Sequence, residues 1–128
     1  MTSKFRFSVP FCAGKQRPRI SKSRAYKTSD EEMREEAIAL AFDEAGGTAA
    51  PKGVPVAVRI TASKSSSKHV GDPFVMKPDA DNISKLVLDA LNGKAWHDDS
   101  QITSLDVTKL NHTRDVSRIT VEIDWSDR

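Results

Sequence analysis

Phe5, Phe7 and Val9 alternate with Lys4, Arg6 and Ser8, a period of two that predicts a half-buried strand stopped at Pro10. Residues 11–28 carry Gly14, Pro18 and several serines and read as a basic loop. Ser29 or Asp30 then caps a helix: Glu31 and Glu32 suit its positive N-terminus, and Met33, Ala37, Leu40 and Ala41 form an apolar stripe. Gly46 and Gly47 end it. Within residues 54–62, Val56, Val58 and Ile60 alternate again, giving a second strand, and the Ser- and Lys-rich residues 63–78 read as a mobile, positively charged loop. Pro78 disfavours helix at Lys77, so the second helix begins near Asp79 to Asp81. Its apolar positions Ile83, Leu86, Val87, Ala90 and Leu91 keep helical spacing, and Asn92-Gly93 closes it. Residues 102–110 and 117–123 read as two strands joined by a polar turn at 111–115, a hairpin. The order β-α-β-α-β-β predicts a small α+β domain over residues 1–128, a mixed sheet covered by two helices.

Length and composition narrow this little. A chain of 128 residues, 38% hydrophobic and 30% charged, builds one thin core with a broad solvated surface, which favours an oligomer that completes it. Cys12 is the single cysteine, so no intrachain disulfide forms and a reducing compartment is expected. Without a signal-like or membrane-length apolar run, the expectation is a soluble, cytoplasmic protein.

The net charge of +2 hides an uneven distribution. Residues 1–27 hold Lys4, Arg6, Lys15, Arg17, Arg19, Lys22, Arg24 and Lys27 and no acid, whereas residues 30–44 hold seven acids against Arg34. Screening over roughly 8–10 Å makes such local blocks matter more than their sum. The basic block is either a solvated arm or an electrostatic footprint for phosphate.

The stretch with the most chemistry runs from Lys77 to Asp99. Asp79 and Asp81 stand two apart at a helix entrance, and Asp81, Lys85 and Asp89 share one helix face. A helix over 81–92 is about 18 Å long and residues 93–98 reach about 20 Å when extended, so one chain can just return Asp98 and Asp99 to Asp79, or a partner subunit can supply them. Gathered carboxylates repel by about 4 kcal/mol per pair at 4 Å and an effective dielectric near 20, so they protonate or take up a cation. Hard oxygens in small number suit Mg²⁺ or Mn²⁺. The plainer alternatives stay open: Asp79 as an N-cap, Asp81 as a first-turn acid, Lys85 as its i+4 partner, Asp98-Asp99 as a solvated turn.

The run Lys77-Pro78-Asp79-Ala80-Asp81-Asn82-Ile83-Ser84-Lys85-Leu86 resembles the RusA family of Holliday-junction resolvases. So do Leu88-Asp89-Ala90-Leu91-Asn92-Gly93 and Trp96-His97-Asp98-Asp99-Ser100-Gln101-Ile102. A weaker match lies at Lys15-Gln16-Arg17-Pro18-Arg19 and Tyr26. The resemblance implies a homodimeric, Mg²⁺-dependent endonuclease of recombination and repair that cuts four-way DNA junctions symmetrically and leaves 5′-phosphate ends. It carries the essential acids onto Asp79, Asp81 and Asp99, with Asp98 adjacent as a further metal candidate, and the important lysine onto Lys85. Asp89 takes a supporting role, and His97 departs from the usual residue before the acid pair.

Phosphate contacts are expected from Lys15, Arg17, Arg19, Lys22, Arg24, Lys64 and Lys68. Phe11, Phe74 and Trp96 are either junction wedges or packing residues. Two rivals remain at this point: a nuclease of other branch or flap preference, and a DNA-binding module that does not cut.

Overall fold

The computed structural model of the chain describes residues 2–15, 19–21, 24–26 and 29–126. The elements are β1 (Thr2–Val9), β2 (Arg19–Ser21), β3 (Arg24–Tyr26), α1 (Ser29–Glu44), β4 (Val56–Ser63), α2 (Ala80–Leu91), β5 (Ile102–Lys109) and β6 (Arg118–Ser126). The segment read from sequence as a loop thus contains the short antiparallel ribbon β2–β3. The remaining order is the expected β-α-β-α-β-β.

The main sheet runs β1-β6-β4-β5, with β6 antiparallel to both β1 and β4, and β4 parallel to β5. This corrects the hairpin expected of the last two strands, because β4 lies between them. The reason is burial: Val56, Val58, Ile60 and Ala62 of β4 are all buried, so β4 takes a central position, whereas Leu105 leaves β5 as an edge. Parallel neighbours need a long crossover, and α2 supplies it. The polar connection 111–117 then passes over the end of β4 and bonds to the segment read as mobile. Thr113 N–H donates to the Lys64 carbonyl, Ser66 N–H to Thr113, and His112 N–H to Asp72. Phe74 and His112 are buried there with ring centroids 5.4 Å apart, so this segment is pinned down.

One sheet face carries the core. Phe7 and Val9 of β1 and Ile119, Val121, Ile123 and Trp125 of β6 join the β4 residues against Ile38 and Phe42 of α1 and Ile83, Leu86, Val87 and Leu91 of α2. The opposite face is solvated and self-neutralising. Arg6 meets Glu122 at 3.5 Å, Arg59 meets the same Glu122 at 3.7 Å, and Lys4 meets Asp124 at 3.9 Å.

The expected apolar stripe of α1 packs only in part, through Ala41. Met33 and Leu40 are exposed, and the inward face is Glu31, Glu35, Ile38 and Phe42. Two glutamates face inward because Lys15 meets them there. Its ammonium stands 3.7 Å from Glu31, 3.6 Å from Glu35 and 2.8 Å from Asp89 of α2. Burial pulls the Lys15 pKa down, but the hydrogen bond and charge of Asp89, with Glu35 and Glu31, outweigh it and the net shift is upward. This cluster ties the segment following β1 to both helices.

Candidate active site

Asp79 occupies the N-cap position of α2 yet makes no side-chain cap bond. An Asp at this position ordinarily accepts from an N–H of the first turn, a contact of about 1 kcal/mol. Its carboxylate is therefore left for other partners, and the plain N-cap reading loses its support. Asp81 is likewise exposed; its backbone carbonyl accepts from the Ser84 hydroxyl at 2.8 Å. The α2 entrance is fixed from outside by residues 13–15. Lys15 N–H donates to the Asn82 carbonyl at 2.8 Å. A methyl on Gly14 would lie 2.9 Å from Asn82 Cβ and 3.0 Å from Pro78 Cβ, so only glycine lets the backbone come this close.

Asp79, Asp81 and Lys85 line a cleft of about 840 Å³. Its other walls include Lys15, Arg34, Lys64 and Lys77, so five basic side chains face two acids. Lys15 is held among its own carboxylates, with a side chain 18% exposed, which leaves four cations toward the opening. A cleft of that balance could attract a polyanion, and the two carboxylates are the groups in it that could hold a cation. Lys64 donates to the Lys77 carbonyl at 3.1 Å and Lys109 to the Met76 carbonyl at 2.7 Å, so two lysines hold the segment leading into Asp79.

The second acid pair lies elsewhere. The turn after α2 folds back on the helix end: Ala95 N–H donates to Leu91, Ala50 N–H donates to Ala95, and Ala95 and Trp96 are fully buried. Residues 92–98 consequently do not extend toward the α2 entrance, and Asp98 and Asp99 sit just before β5 at the opposite end of the helix. The helix between the two acid pairs, 12 residues, is about 18 Å long at 1.5 Å per residue. Among the described residues no three His, Cys, Asp or Glu side chains gather to hold a metal. The single-chain closure allowed by reach is not adopted, because Ala95 and Trp96 are drawn into the core.

Around Asp99 the turn is closely built. Asp98 caps it, its carboxylate accepting from Ser100 N–H at 3.1 Å, and hydrogen bonding to Ser100 holds its pKa below the usual carboxylate value. The Gln101 carbonyl oxygen accepts from the backbone of His97 and Asp98, and its amide donates to the Pro51 and Val54 carbonyls. Trp96 Nε1–H donates to Asp99 Oδ1 at 2.7 Å. The His97 side chain is exposed and solvated.

The other expected contacts divide. Lys64 reaches the cleft and Lys68 is exposed on the neighbouring loop. Arg19 and Arg24 lie on β2 and β3, and Arg17 and Lys22 fall outside the described residues. Phe74 and Trp96 are buried and Phe11 packs against the core, so none of the three projects as a wedge. Arg34, passed over in the sequence because it sits in an acidic block, lines the cleft from α1. Its one available signal was being the lone base among seven acids of residues 30–44.

Among the described residues no helix is long and apolar enough to cross a membrane. No curated protein matches the sequence. The family model for the endodeoxyribonuclease RusA matches residues 10–124, nearly the whole chain, and the chain belongs to the RusA endodeoxyribonuclease family.

Proposed function

We propose that this chain is a Mg²⁺-dependent Holliday-junction resolvase, folded as one domain over residues 1–128, that works as a homodimer in recombination and repair. The observation that carries the reading is the pair Asp79 and Asp81, one uncapped and both exposed, in a cleft whose other charged side chains are all cations. Two carboxylates are few for a wholly protein-built metal cage, yet suit Mg²⁺, which keeps waters and takes remaining ligands from phosphate. Mn²⁺ would substitute. When bound, the ion supplies an activated water and neutralises charge on the scissile phosphate.

Asp99 cannot join Asp79 and Asp81 across the length of α2, so the third acid of a centre would be Asp99 of the partner subunit. A twofold dimer makes this exchange reciprocal, giving two equivalent centres for two symmetric incisions. Lys85 neutralises phosphate charge beside the acids. Arg34, Lys64, Lys68 and Lys77, with Arg17, Arg19, Lys22 and Arg24, contact flanking phosphates without reading sequence. Lys15 and Asp89 serve the fold, and Asp98 serves the turn. A reducing cytoplasm in a bacterial or phage-infected cell agrees with the lone Cys12.

A synthetic four-way junction incubated with Mg²⁺, beside linear duplex, fork and flap controls, tests this. Paired symmetric cuts leaving 5′-phosphate ends in the junction alone are expected. Equal cutting of duplex or flap would replace the substrate assignment, and binding without cleavage in Mg²⁺ or Mn²⁺ would replace the enzyme with a DNA-binding module.

A further inference from the structure

The indole of Trp96 is fully buried, and its N–H makes one contact, a 2.7 Å bond to Asp99 Oδ1. The chain's other tryptophan, Trp125, is buried too, but its N–H has no partner among the described residues. The Trp96 N–H is instead aimed at a carboxylate, a contact that packing of the ring does not by itself require. Three separate devices converge on the same short turn: the Asp98 cap, the Gln101 clamp to the 51–54 backbone, and the indole bond. Asp98 and Gln101 fix the backbone. The indole fixes the one remaining freedom, the Asp99 side-chain torsion, and occupies Oδ1 while Asp99 as a whole remains half-exposed.

We infer that Trp96 is the positioning residue for Asp99, holding one carboxylate oxygen so that the other faces outward as a preset ligand. The inference rests on the proposed role of Asp99 as a metal ligand. A neutral donor on a ligating carboxylate orients it without cancelling its charge, and loss of such supporting partners costs about 10–100-fold in metal affinity or activity.

The test replaces Trp96 with benzothienylalanine, which keeps the bicyclic ring and lacks only the N–H, and in parallel makes Trp96→Phe. The Mg²⁺ concentration for half-maximal junction cleavage should rise about tenfold or more. Junction binding in EDTA should be unchanged, and the benzothienyl protein should keep its melting temperature. An unaltered Mg²⁺ dependence in a folded benzothienyl protein overturns the inference. The companion variant Asp99→Asn separates this outcome from failure of the underlying reading: if Asp99→Asn cuts normally, Asp99 is no ligand and the reading itself falls.

Should both Trp96 replacements fail to fold, native Trp96 gives a second readout in a Trp125→Phe background, where it is the single tryptophan. Mn²⁺ should quench Trp96 fluorescence in the dimer, and adding Asp99→Asn should abolish the quenching. Quenching that is absent, or indifferent to Asp99→Asn, overturns the inference.

Discussion

The two ends of α2 solve opposite problems with the same residue type. At its N-terminal end Asp79 forgoes the cap bond its position offers, and both it and Asp81 stand exposed among Arg34, Lys64, Lys77 and Lys85. At its C-terminal end Asp98 takes the cap bond, Gln101 clamps the turn, and Trp96 holds Asp99. The first end leaves its carboxylates to be organised by whatever binds, and the second organises one carboxylate in advance. A centre drawing on both gains an adaptable half that meets phosphate and a rigid half that fixes the ligand geometry.

The largest effect should come from the adaptable end. Asp81→Asn is expected to lower junction cleavage by about a thousandfold, the worth of several kcal/mol of charge stabilisation. Junction binding should stay intact or tighten, because a negative charge leaves a cleft that holds phosphate. Single-turnover cleavage and gel-shift titration read the two quantities separately, and near-normal cleavage would break the contrast drawn between the ends.

Next comes the cluster that seats the α2 entrance. Lys15→Met removes a cation from among Glu31, Glu35 and Asp89 and should destabilise the fold by about 1–3 kcal/mol, read from the urea midpoint. Since the folded Lys15 pKa is raised, its contribution is fully present below the unfolded value, about 10.4, and is lost as pH rises through the folded value. The stability gap between wild type and Lys15→Met should therefore close only in strongly alkaline buffer. A gap that closes near neutral pH would contradict the assignment.

Much of the fold was legible because it follows from short-range pattern. The alternation of Phe5, Phe7 and Val9, the helical spacing from Ile83 to Leu91, and the Asn92-Gly93 stop all describe local geometry, and Gly93 does adopt φ +79°. What was not legible depends on partners distant in sequence. Glu31 and Glu35 read as solvated acids until Lys15 is brought against them, which misplaced the packing stripe of α1. The last strands read as a hairpin because nothing local says that β4 inserts between them. Of the candidate site, the grouping of Asp79, Asp81 and Lys85 in one cleft was legible, whereas the reach of 93–98 could not foretell that Ala95 and Trp96 would be buried. Arg34 was invisible for the same reason as Glu31, its neighbours in sequence being no guide to its neighbours in space.

A smaller effect sharpens the cationic side of the adaptable end. Arg34→Ala combined with Lys64→Ala should weaken junction binding about tenfold at low salt and flatten the plot of log affinity against log salt by about two phosphate contacts' worth. An unchanged slope would remove these side chains from the DNA surface.

The smallest belongs to the preorganised end. Asp98 has a lowered folded pKa, so its contribution exists above the unfolded value and disappears as pH falls through the folded one. Asp98→Ala should lower the melting temperature slightly at pH 7, and the difference from wild type should vanish in strong acid. A difference that persists there would mean that Asp98 acts through something other than its charged cap.

Mixing two inert proteins tests the central claim most directly. In a dimer of one Asp81→Asn chain and one Asp99→Asn chain, a centre shared between subunits leaves one of its two copies wholly native. Random subunit exchange makes half the dimers mixed, so junction nicking should return to about a quarter of wild-type sites. If the mixture stays inert after exchange is verified, Asp81 and Asp99 do not meet across a dimer, and the account of the site is wrong.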